Sequence, residues 1–157
     1  MSDHGFRPAR RDDLPAIVAM LAADPLGAGR ESPDDPAPYL AAFERLAADP
    51  NQHLLVAERD GRVVGTLQLT LIPGLSRKGA TRGLIEAVRV SSTERGNGLG
   101  TALIEHAVEE SRRLGASLVQ LTSDASRTDA HRFYERLGFT GSHVGFKLDL
   151  EPGPGQG

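Results

Sequence analysis

The stretch Arg95-Gly96-Asn97-Gly98-Leu99-Gly100 carries the most information about the fold of this chain. It stands between an apolar strand pattern at residues 84–90 and a helical apolar pattern that begins at Leu99. Glycines let successive backbone N–H groups converge on an anion, and a helix N-terminus adds unpaired N–H groups and a positive dipole end. Arg95 contributes a cation and Thr101 a hydroxyl. The stretch therefore predicts a site for a phosphate or pyrophosphate group.

Three nucleotide-binding loops and one purely structural alternative compete for this stretch. A P-loop requires Lys followed by Ser or Thr after its last glycine, whereas this chain continues with Thr101-Ala102. A Rossmann fingerprint requires a third glycine where Thr101 stands, although Asp124 after the next strand keeps that interpretation open. The third loop, Arg/Gln-x-x-Gly-x-Gly/Ala, is matched by Arg95, Gly98 and Gly100. The structural alternative is a glycine-rich turn that only permits a tight strand-to-helix connection.

Hydrophobic periodicity predicts an alternation of strands and helices around the stretch. Apolar residues at i, i+3, i+4 and i+7 predict helices around residues 14–21 and 39–47, and Asp60-Gly61 is a hairpin signal. The predicted strands are residues 6–10, 54–59, 63–71, 84–90, 118–123, 141–144 and 146–150, and the later helices begin at Leu99 and Ala130. The order β-α-α-β-β-β-α-β-α-β-β predicts an α/β (α+β) fold, with a mixed sheet of about seven strands and helices on both faces.

Composition limits the classes of function. The chain has 157 residues, a net charge of −3 and no cysteine, which excludes disulfides, a cysteine-ligated zinc and a cysteine nucleophile. We expect one domain over residues 1–150 and a disordered tail at 151–157. We expect no nucleic-acid partner, because no basic field is present, and no membrane partner, because no segment is apolar enough. A cytoplasmic location is the default expectation. The spacing of His4, His53 and His106 predicts no metal site.

Two further segments complete a resemblance to a known family. Residues 130–139, Ala-His-Arg-Phe-Tyr-Glu-Arg-Leu-Gly-Phe, match the pattern Ala-x-x-Phe-Tyr-x-x-x-Gly-Phe, and residues 85–90 resemble a central strand. With the glycine-rich loop, they make the chain resemble the GNAT superfamily of N-acetyltransferases over residues 5–150. The resemblance implies a splayed central sheet, acetyl-CoA as the acetyl donor and coenzyme A as the product. It also implies an acyltransferase that acts by direct transfer in a ternary complex.

The resemblance further implies which residues contact the coenzyme. Backbone groups of Val88 and Val90 would pair with the pantetheine arm as an added strand does. Many family members have Asn where this chain has Arg127, and that arginine either reaches the phosphates or faces solvent. The predicted cofactor contacts are Val88, Arg89, Val90, Arg95, Gly96, Asn97, Gly98, Leu99, Gly100, Thr101, Ser123, Asp124, Arg127 and His131.

Two residues are the candidates for acid–base chemistry. Tyr134 is the candidate acid, because the equivalent tyrosine of the family points at the thioester sulfur and a phenol stays protonated at neutral pH. Its alternative role is that of a core aromatic residue. Glu86 is the candidate base, directly or through a water, because it interrupts an apolar strand on the face of Leu84 and Val88, where burial would raise its pKa. The alternative is a salt bridge to Arg82 or Arg89.

The acceptor is predicted only as a class, a small-molecule primary amine. The basic segment 76–82 favours an anionic amine, and the acidic segment 31–35 favours a polycationic one. The C-terminal residues resemble those of aminoalkylphosphonate acetyltransferases in part, which agrees with the basic segment. Alternatives are a protein N-acetyltransferase, a non-catalytic acyl-CoA-sensing module and a dinucleotide-binding oxidoreductase. Members of the family often form homodimers.

Overall fold

The computed structural model describes residues 4–151. Besides short 3₁₀ turns at Arg11–Asp13 and Ser92–Glu94, these residues form five strands and five α-helical segments. In chain order they are β1 (Gly5–Pro8), α1 (Leu14–Ala23), α2 (Ala37–Ala48), β2 (Gln52–Arg59), β3 (Arg62–Pro73), α3 (Ser76–Gly79), β4 (Thr81–Val90), α4 (Leu99–Arg113), β5 (Ala116–Leu121) and α5 (Thr128–Arg136). The segment α3 is a four-residue turn in which Arg77 and Lys78 have left-handed backbone angles. No helix among these residues is long and apolar enough to cross a membrane.

The five strands form one mixed sheet in the order β1-β2-β3-β4-β5. The first four are antiparallel neighbours, and β5 runs parallel to β4. The β2–β3 hairpin turns at Asp60-Gly61, where both residues have positive φ (51° and 75°), as the tight turn predicted from the sequence requires. The parallel pair needs a crossover, which α4 provides. The predicted mixed sheet is therefore confirmed over these elements.

Helices cover both faces of the sheet. An ideal Cβ on Gly65 would lie 3.5 Å from the Leu103 side chain, and one on Gly83 would lie 2.8 Å from Ser111 Oγ, so α4 packs on the face of these glycines. Close approach of β4 and α4 at Gly83 leaves no room for a side chain. On the other face, α1 and α2 share a cavity with Thr66 and Gln68.

A charge cluster joins β1 to the start of α1. The Arg7 guanidinium donates to both carboxylate oxygens of Asp13 (2.7 and 3.0 Å) and also to Glu58. Arg7 holds the pKa of Asp13 below its ordinary value, against the opposing effect of burial. Because the Asp13 carboxylate is engaged in this way, it forms no side-chain cap on α1.

A second compact unit begins at Thr122. Its helix α5 carries an aromatic cluster in which the Tyr134 ring meets the rings of Phe133 and Phe139 edge-on, with centroids 5.1 and 5.9 Å apart. The prediction of a single domain over residues 1–150 stays a prediction. Of the predicted tail, residues 152–157 lie outside the described part of the chain.

The two strands predicted at the C-terminal end are absent, so the expected sheet of about seven strands is corrected to five. Residues 141–144 and 146–150 have no strand assignment in the described chain, and all of them are exposed. The large apolar side chains of this segment are also strongly exposed, with Val144 at 78% and Phe146 at 93%. Alternation of apolar and polar residues predicts the faces of a strand, but a strand forms only where a partner satisfies its backbone groups.

Candidate active site

The glycine-rich stretch forms the turn from β4 into α4. Gly96 and Gly98 have φ of 85° and 84°, left-handed values that glycine adopts without strain, and Gly98 is the N-cap of α4. The first helical hydrogen bond runs from the Ala102 N–H to the Gly98 carbonyl (3.1 Å). The N–H groups of the first three residues, Leu99 to Thr101, consequently have no partner within the helix and face its N-terminal end. The turn therefore leaves free the backbone donors that the predicted anion site requires, and the binding of an anion there stays a prediction.

The space around this turn fits a phosphate group. An ideal Cβ on Gly96 or Gly98 would have no other heavy atom within 4 Å, and the side chain of Arg95 is exposed. Leu99, by contrast, is only 1% exposed and fixes the first turn of α4 to the core. The donors are therefore held on a rigid base and open to solvent on the other side, as an approaching diphosphate would require.

Glu94 supports the turn from its buried side, although it is not among the site residues predicted from the sequence. Its carboxylate is buried and forms an ion pair with Arg59 at the end of β2 (2.6 Å), and it accepts a hydrogen bond from the Asn97 amide (3.3 Å). Asn97 is itself exposed, and this bond ties its side chain to the buried Glu94. The negative charge of Glu94 is the sequence feature that could have revealed its role. An acidic residue next to an anion site is unfavourable unless a cation neutralises its charge.

The strand β4 divides into two halves at the end of its pairing with β5. That pairing extends from Thr81 to Ile85, which lies beside Leu121, the last residue of β5. From Glu86 to Val90, β4 is hydrogen-bonded to β3 alone, so one edge has no strand partner among the described residues. The separation of these two strands, which the splayed sheet implied by the family resemblance requires, would begin at this point.

A bulge lies at the start of the unpaired half. Thr66 is opposite Arg89 and Gln68 is opposite Glu86, so Leu67 faces two residues, Ala87 and Val88. Ala87 has φ 54°, a left-handed value that is costly for a residue with a Cβ. The extra residue changes the side-chain alternation and turns the backbone of Val88 relative to a regular strand.

The expected burial of Glu86 is wrong. Glu86 is exposed, and among the described residues no hydrogen-bond or ion-pair partner contacts it. It shares a face with its cross-strand neighbour Gln68 and, because of the bulge, with Arg89 instead of Val88. The alternative of a salt bridge is also not observed, since Arg82 donates to Gln120 and Arg89 binds elsewhere.

Arg89, a predicted cofactor contact, is engaged within the protein. Its guanidinium binds the Asp24 carboxylate at the C-cap of α1 (3.1 Å) and donates to the Val88 carbonyl (2.8 Å). Both side chains are less than one-fifth exposed. The pair ties the end of α1 to the unpaired half of β4, so Arg89 orders this edge of the site.

A small apolar cavity reaches the unpaired half of β4 at Ala87. It has a volume of about 120 Å³ and lies between α1, α2 and the sheet, with Gln68 and Ala87 at its sheet side. Tyr39 of α2 also lines it, and its hydroxyl donates to Glu31 and accepts from the Ser32 N–H (both 2.9 Å). The cavity is large enough for a few carbon atoms of a bound molecule.

The second unit holds the remaining predicted site residues. Asp124 accepts hydrogen bonds from the hydroxyl and the N–H of Ser126 (2.6 and 2.9 Å), which lower the pKa of its carboxyl. His131 Nε2 lies 2.8 Å from the Asp124 carbonyl oxygen, which can only accept a hydrogen bond. Arg127 is the exposed N-cap of α5, and Ser123 Oγ is buried without a hydrogen-bond partner in the described chain. The roles of these residues and of Tyr134 stay predictions.

The chain matches a family model over most of its length. The model of the acetyltransferase (GNAT) family matches residues 14–139. This range includes the bulged strand, the glycine-rich turn and the aromatic cluster of α5.

Individual relatives are similar at the level of sequence and fold. Aminoalkylphosphonate N-acetyltransferase of Salmonella typhimurium is 40% identical over 115 residues, which are 71% of this chain and 74% of that protein. Glucosamine 6-phosphate N-acetyltransferase of Trypanosoma brucei brucei is 41% identical over 90 residues, 57% of this chain and 59% of that protein. The crystal structure of a transcriptional regulator from Bacillus halodurans C-125 is 42% identical, has a TM-score of 0.91 and covers 94% of this chain and 100% of that one.

Proposed function

The chain belongs to the acetyltransferase (GNAT) family, and we propose that it moves the acetyl group of acetyl-CoA directly to a small primary amine. The observation that carries this proposal is a set of unused backbone groups that has two separate parts. One part is the unpaired edge of β4 after Ile85, and the other is the N–H groups that open α4. A coenzyme with an extended arm and a diphosphate matches both parts of this set.

Each part of the set has its own task in binding. The unpaired backbone of Val88 and Val90 pairs with the amide groups of the pantetheine arm. The N–H groups of Leu99 to Thr101, with Arg95, hold the diphosphate, while Glu94 and Asn97 hold the turn in shape. Acetyl-CoA, when bound, supplies the acetyl group as a thioester.

The proton chemistry is assigned to two side chains. An alkylammonium has a pKa of roughly 10, so the amine must lose a proton before it attacks. The exposed carboxylate of Glu86 accepts this proton through a water, a role that requires access to solvent instead of burial. The Val88 N–H, turned by the bulge, is the proposed donor to the developing oxyanion. The Tyr134 hydroxyl is the proposed donor to the leaving sulfur.

The acceptor that we propose is a small primary amine that carries a phosphonate or phosphate group. Support comes from the acceptors named for the two curated relatives, aminoalkylphosphonate and glucosamine 6-phosphate. The acidic segment 31–35 is partly occupied by local bonds, since Glu31 binds Tyr39 and Asp35 accepts from the N–H of Ala37. Because these bonds occupy two carboxylates of the segment, the segment is less available to bind a polycationic amine.

The basic turn α3 does not bind such an acceptor directly. It precedes Thr81, and Glu86 lies five residues further along β4, a distance of about 16 Å. A small amine that reacts beside Glu86 cannot span this distance. Arg77 and Lys78 therefore act on an anionic acceptor, if at all, by long-range attraction that salt would screen.

The first experiment is a thermal-shift panel with acetyl-CoA, NAD, ATP and buffer. A ligand present at 100 times its dissociation constant stabilises the fold by about 2.7 kcal/mol, so the true cofactor gives a clear shift. We expect a shift with acetyl-CoA that Arg95→Glu weakens and that Arg62→Glu, a charge reversal in the β2–β3 hairpin, leaves intact. A shift with NAD alone would overturn the proposal.

The second experiment measures thiol release with a panel of amines. We expect turnover with aminoalkylphosphonates and amino sugar phosphates above that with diamines and lysine peptides. Preference for a lysine peptide would indicate a protein N-acetyltransferase. Binding of acetyl-CoA without turnover on any amine would indicate an acyl-CoA-sensing module.

The role of Tyr134 has a separate test. Tyr134→Phe keeps the aromatic contacts with Phe133 and Phe139 but removes the hydroxyl. We expect kcat to fall roughly 10²-fold while the affinity for acetyl-CoA stays nearly the same. Unchanged turnover would indicate that Tyr134 has only a packing role.

The homodimer that the family resemblance implies is also a proposal for this chain. Acetyl transfer as described above does not depend on it, and the molar mass in solution tests it independently of activity.

A further inference from the structure

The face of β3 that turns away from α4 carries polar side chains. These are Thr66, Gln68 and Thr70, whereas Leu67 and Leu69, which alternate with them, are fully buried. Thr66 is buried and donates to a backbone carbonyl of β2 (2.9 Å), but Gln68 and Thr70 are only half-buried. Polar groups beneath covering helices lower stability unless they form hydrogen bonds, so their partners indicate their role.

A side chain of β2 fixes the amide of Gln68. The Oε1 atom of Gln52 accepts hydrogen bonds from Gln68 Nε2 and from Thr70 Oγ1, both at 2.8 Å. The strand β3 lies between β2 and β4 in the sheet. Because the nitrogen of the Gln68 amide is turned toward β2, its oxygen is left to the side of β4. No donor among the described residues bonds to that oxygen.

Glu86 of β4 stands directly opposite Gln68. The Cβ atoms of such an antiparallel pair are about 5 Å apart, so the two side chains are neighbours on one face of the sheet. The Glu86 carboxylate also has no partner within the described part of the chain. Both groups present oxygens that only accept hydrogen bonds, an arrangement that becomes favourable when a donor joins them.

The surroundings of this pair of oxygens admit a positively charged ligand. Gln68 and Ala87 line the apolar cavity between α1, α2 and the sheet, so the amide borders open space instead of packed protein. The next cation on this face, Arg89, is paired with the Asp24 carboxylate (3.1 Å). Its charge is therefore compensated and repels a cation only weakly. Two acceptors and a compensated arginine favour an ammonium group over an anion.

We propose that Gln68 is a specificity residue that binds the ammonium group of the acceptor through its side-chain oxygen. This role rests on the proposed function. Gln68 Oε1 accepts one N–H of the ammonium directly, and another N–H points to the water that carries its proton to Glu86. After that proton leaves, the nitrogen lone pair is free to attack, and the bond to Gln68 still holds the nitrogen in place. Gln52 and Thr70 are positioning residues, because they orient the amide.

Steady-state kinetics of Gln68→Met test the bond to the amine. Methionine keeps the length and bulk of the side chain but removes both polar atoms. We expect KM for the amine to rise about tenfold, as for the loss of one hydrogen bond to a charged group. We expect kcat to change less than about threefold, because the bond exists in both the ground state and the transition state. The affinity for acetyl-CoA should stay the same.

The matched control is Gln120→Met, which removes a half-buried amide of β5 that accepts from Arg82 (3.1 Å). It should leave KM for the amine unchanged. An equal rise of KM in both variants would overturn the proposal.

A double variant tests the positioning role of Gln52. Gln52→Met frees the Gln68 amide to rotate, and we expect KM for the amine to rise about threefold. Added to Gln68→Met, it should cause no further rise, because no amide is left to orient. Two effects that multiply would overturn the positioning role, since they would show that Gln52 acts independently of Gln68.

Calorimetric titration separates recognition of the amine from a general change of the site. With the protein saturated in coenzyme A, the wild type should bind aminoethylphosphonate more tightly than ethylphosphonate, which lacks the amine. Gln68→Met should weaken binding of the first about tenfold and leave binding of the second unchanged. Equal weakening of both ligands would overturn the proposal. A wild-type chain that acetylates no amine would contradict the proposed function itself, whereas an active wild type with an unchanged KM in Gln68→Met would contradict only the role of Gln68.

Discussion

The sequence pattern predicts one regular strand for the whole of β4, but the two halves of β4 have different surroundings in the structure. Thr81–Ile85 is hydrogen-bonded on both sides, to β3 and to β5, and Ile85 is 2% exposed. The half from Glu86 to Val90 is hydrogen-bonded on one side, contains a bulge and begins with two exposed residues. One strand therefore provides a fixed base and, directly after it, an open edge.

This difference assigns different physical roles to neighbouring residues. In the paired half, packing leaves so little space that a glycine is needed where α4 approaches. In the open half, backbone groups and a carboxylate are available to a bound molecule, and the Asp24–Arg89 pair orders the edge. Substitutions that disturb packing in the paired half should change stability, and removal of a functional side chain in the open half should change catalysis.

The largest expected effect is on turnover in the open half. Glu86→Gln should lower kcat about 10²-fold, which corresponds to about 2.7 kcal/mol in activation free energy, because it removes the proposed base. The free energy of unfolding should not change, since Glu86 is exposed and has no partner in the described chain. The loss should shrink as the pH rises toward the pKa of the amine, where less amine needs deprotonation.

Steady-state kinetics over a range of pH, with urea unfolding beside them, measure both quantities. Glu105→Gln, at an exposed glutamate of α4, is the matched control and should keep full turnover. Full activity of Glu86→Gln would make Glu86 an ordinary surface residue.

The next effect is on stability in the paired half. Gly83→Ala places a Cβ 2.8 Å from Ser111 Oγ, a hydroxyl already bonded to the Ala107 carbonyl (2.7 Å). We expect the free energy of unfolding to fall by about 2 kcal/mol, while kcat per folded molecule stays the same. Urea unfolding should show partial recovery when Ser111→Ala is added, because the clashing oxygen is removed. Gly5→Ala, at an open position, is the control, and an equal loss there would contradict the packing argument.

The paired half and its neighbours were predictable from the sequence because local signals determine them. Periodicity identified α1, α2 and α4, and Asp60-Gly61 identified the hairpin between β2 and β3. The C-terminal strands were predicted by the same alternation, but a strand also needs a partner, and the alternation does not name one. The predicted strand count exceeded the observed one for this reason.

The candidate site was predictable only in part. The glycine-rich turn depends on residue types at fixed spacing, and its position directly before a helix N-terminus is as expected. The environment of Glu86 was not predictable, because the bulge at Ala87 has no signal in an apolar run and reverses the alternation after it. The Arg59–Glu94 pair joins residues 35 positions apart, so only the fold brings them together.

A smaller effect concerns the support under the glycine-rich turn. Glu94→Gln keeps an acceptor for Asn97 but removes the charge that binds Arg59. We expect about tenfold weaker binding of acetyl-CoA, about 1.4 kcal/mol, because the turn loses its fixed shape. Calorimetric titration of the folded variant measures the affinity. Arg59→Gln should have the same effect, and the double variant should be no weaker than either single one.

The control for this prediction is Glu44→Gln, which breaks the exposed Arg11–Glu44 pair (3.6 Å) and should leave the affinity unchanged. Wild-type affinity of Glu94→Gln would mean that the turn keeps its shape without the ion pair.

The smallest effect tests the junction between the two halves of β4. Ala87 has φ 54°, where a Cβ costs roughly 1 kcal/mol, and Ala87→Gly removes this cost but adds freedom to the unfolded chain. We expect a net stabilisation of about 0.5 kcal/mol with unchanged kcat, since the bulge keeps its shape. Ala80→Gly, at a residue with φ −70°, should instead destabilise by roughly 0.5 kcal/mol. Urea unfolding of both variants gives the sign of the change in the free energy of unfolding. If Ala87→Gly lost as much stability as Ala80→Gly, β4 would not require a left-handed residue at position 87.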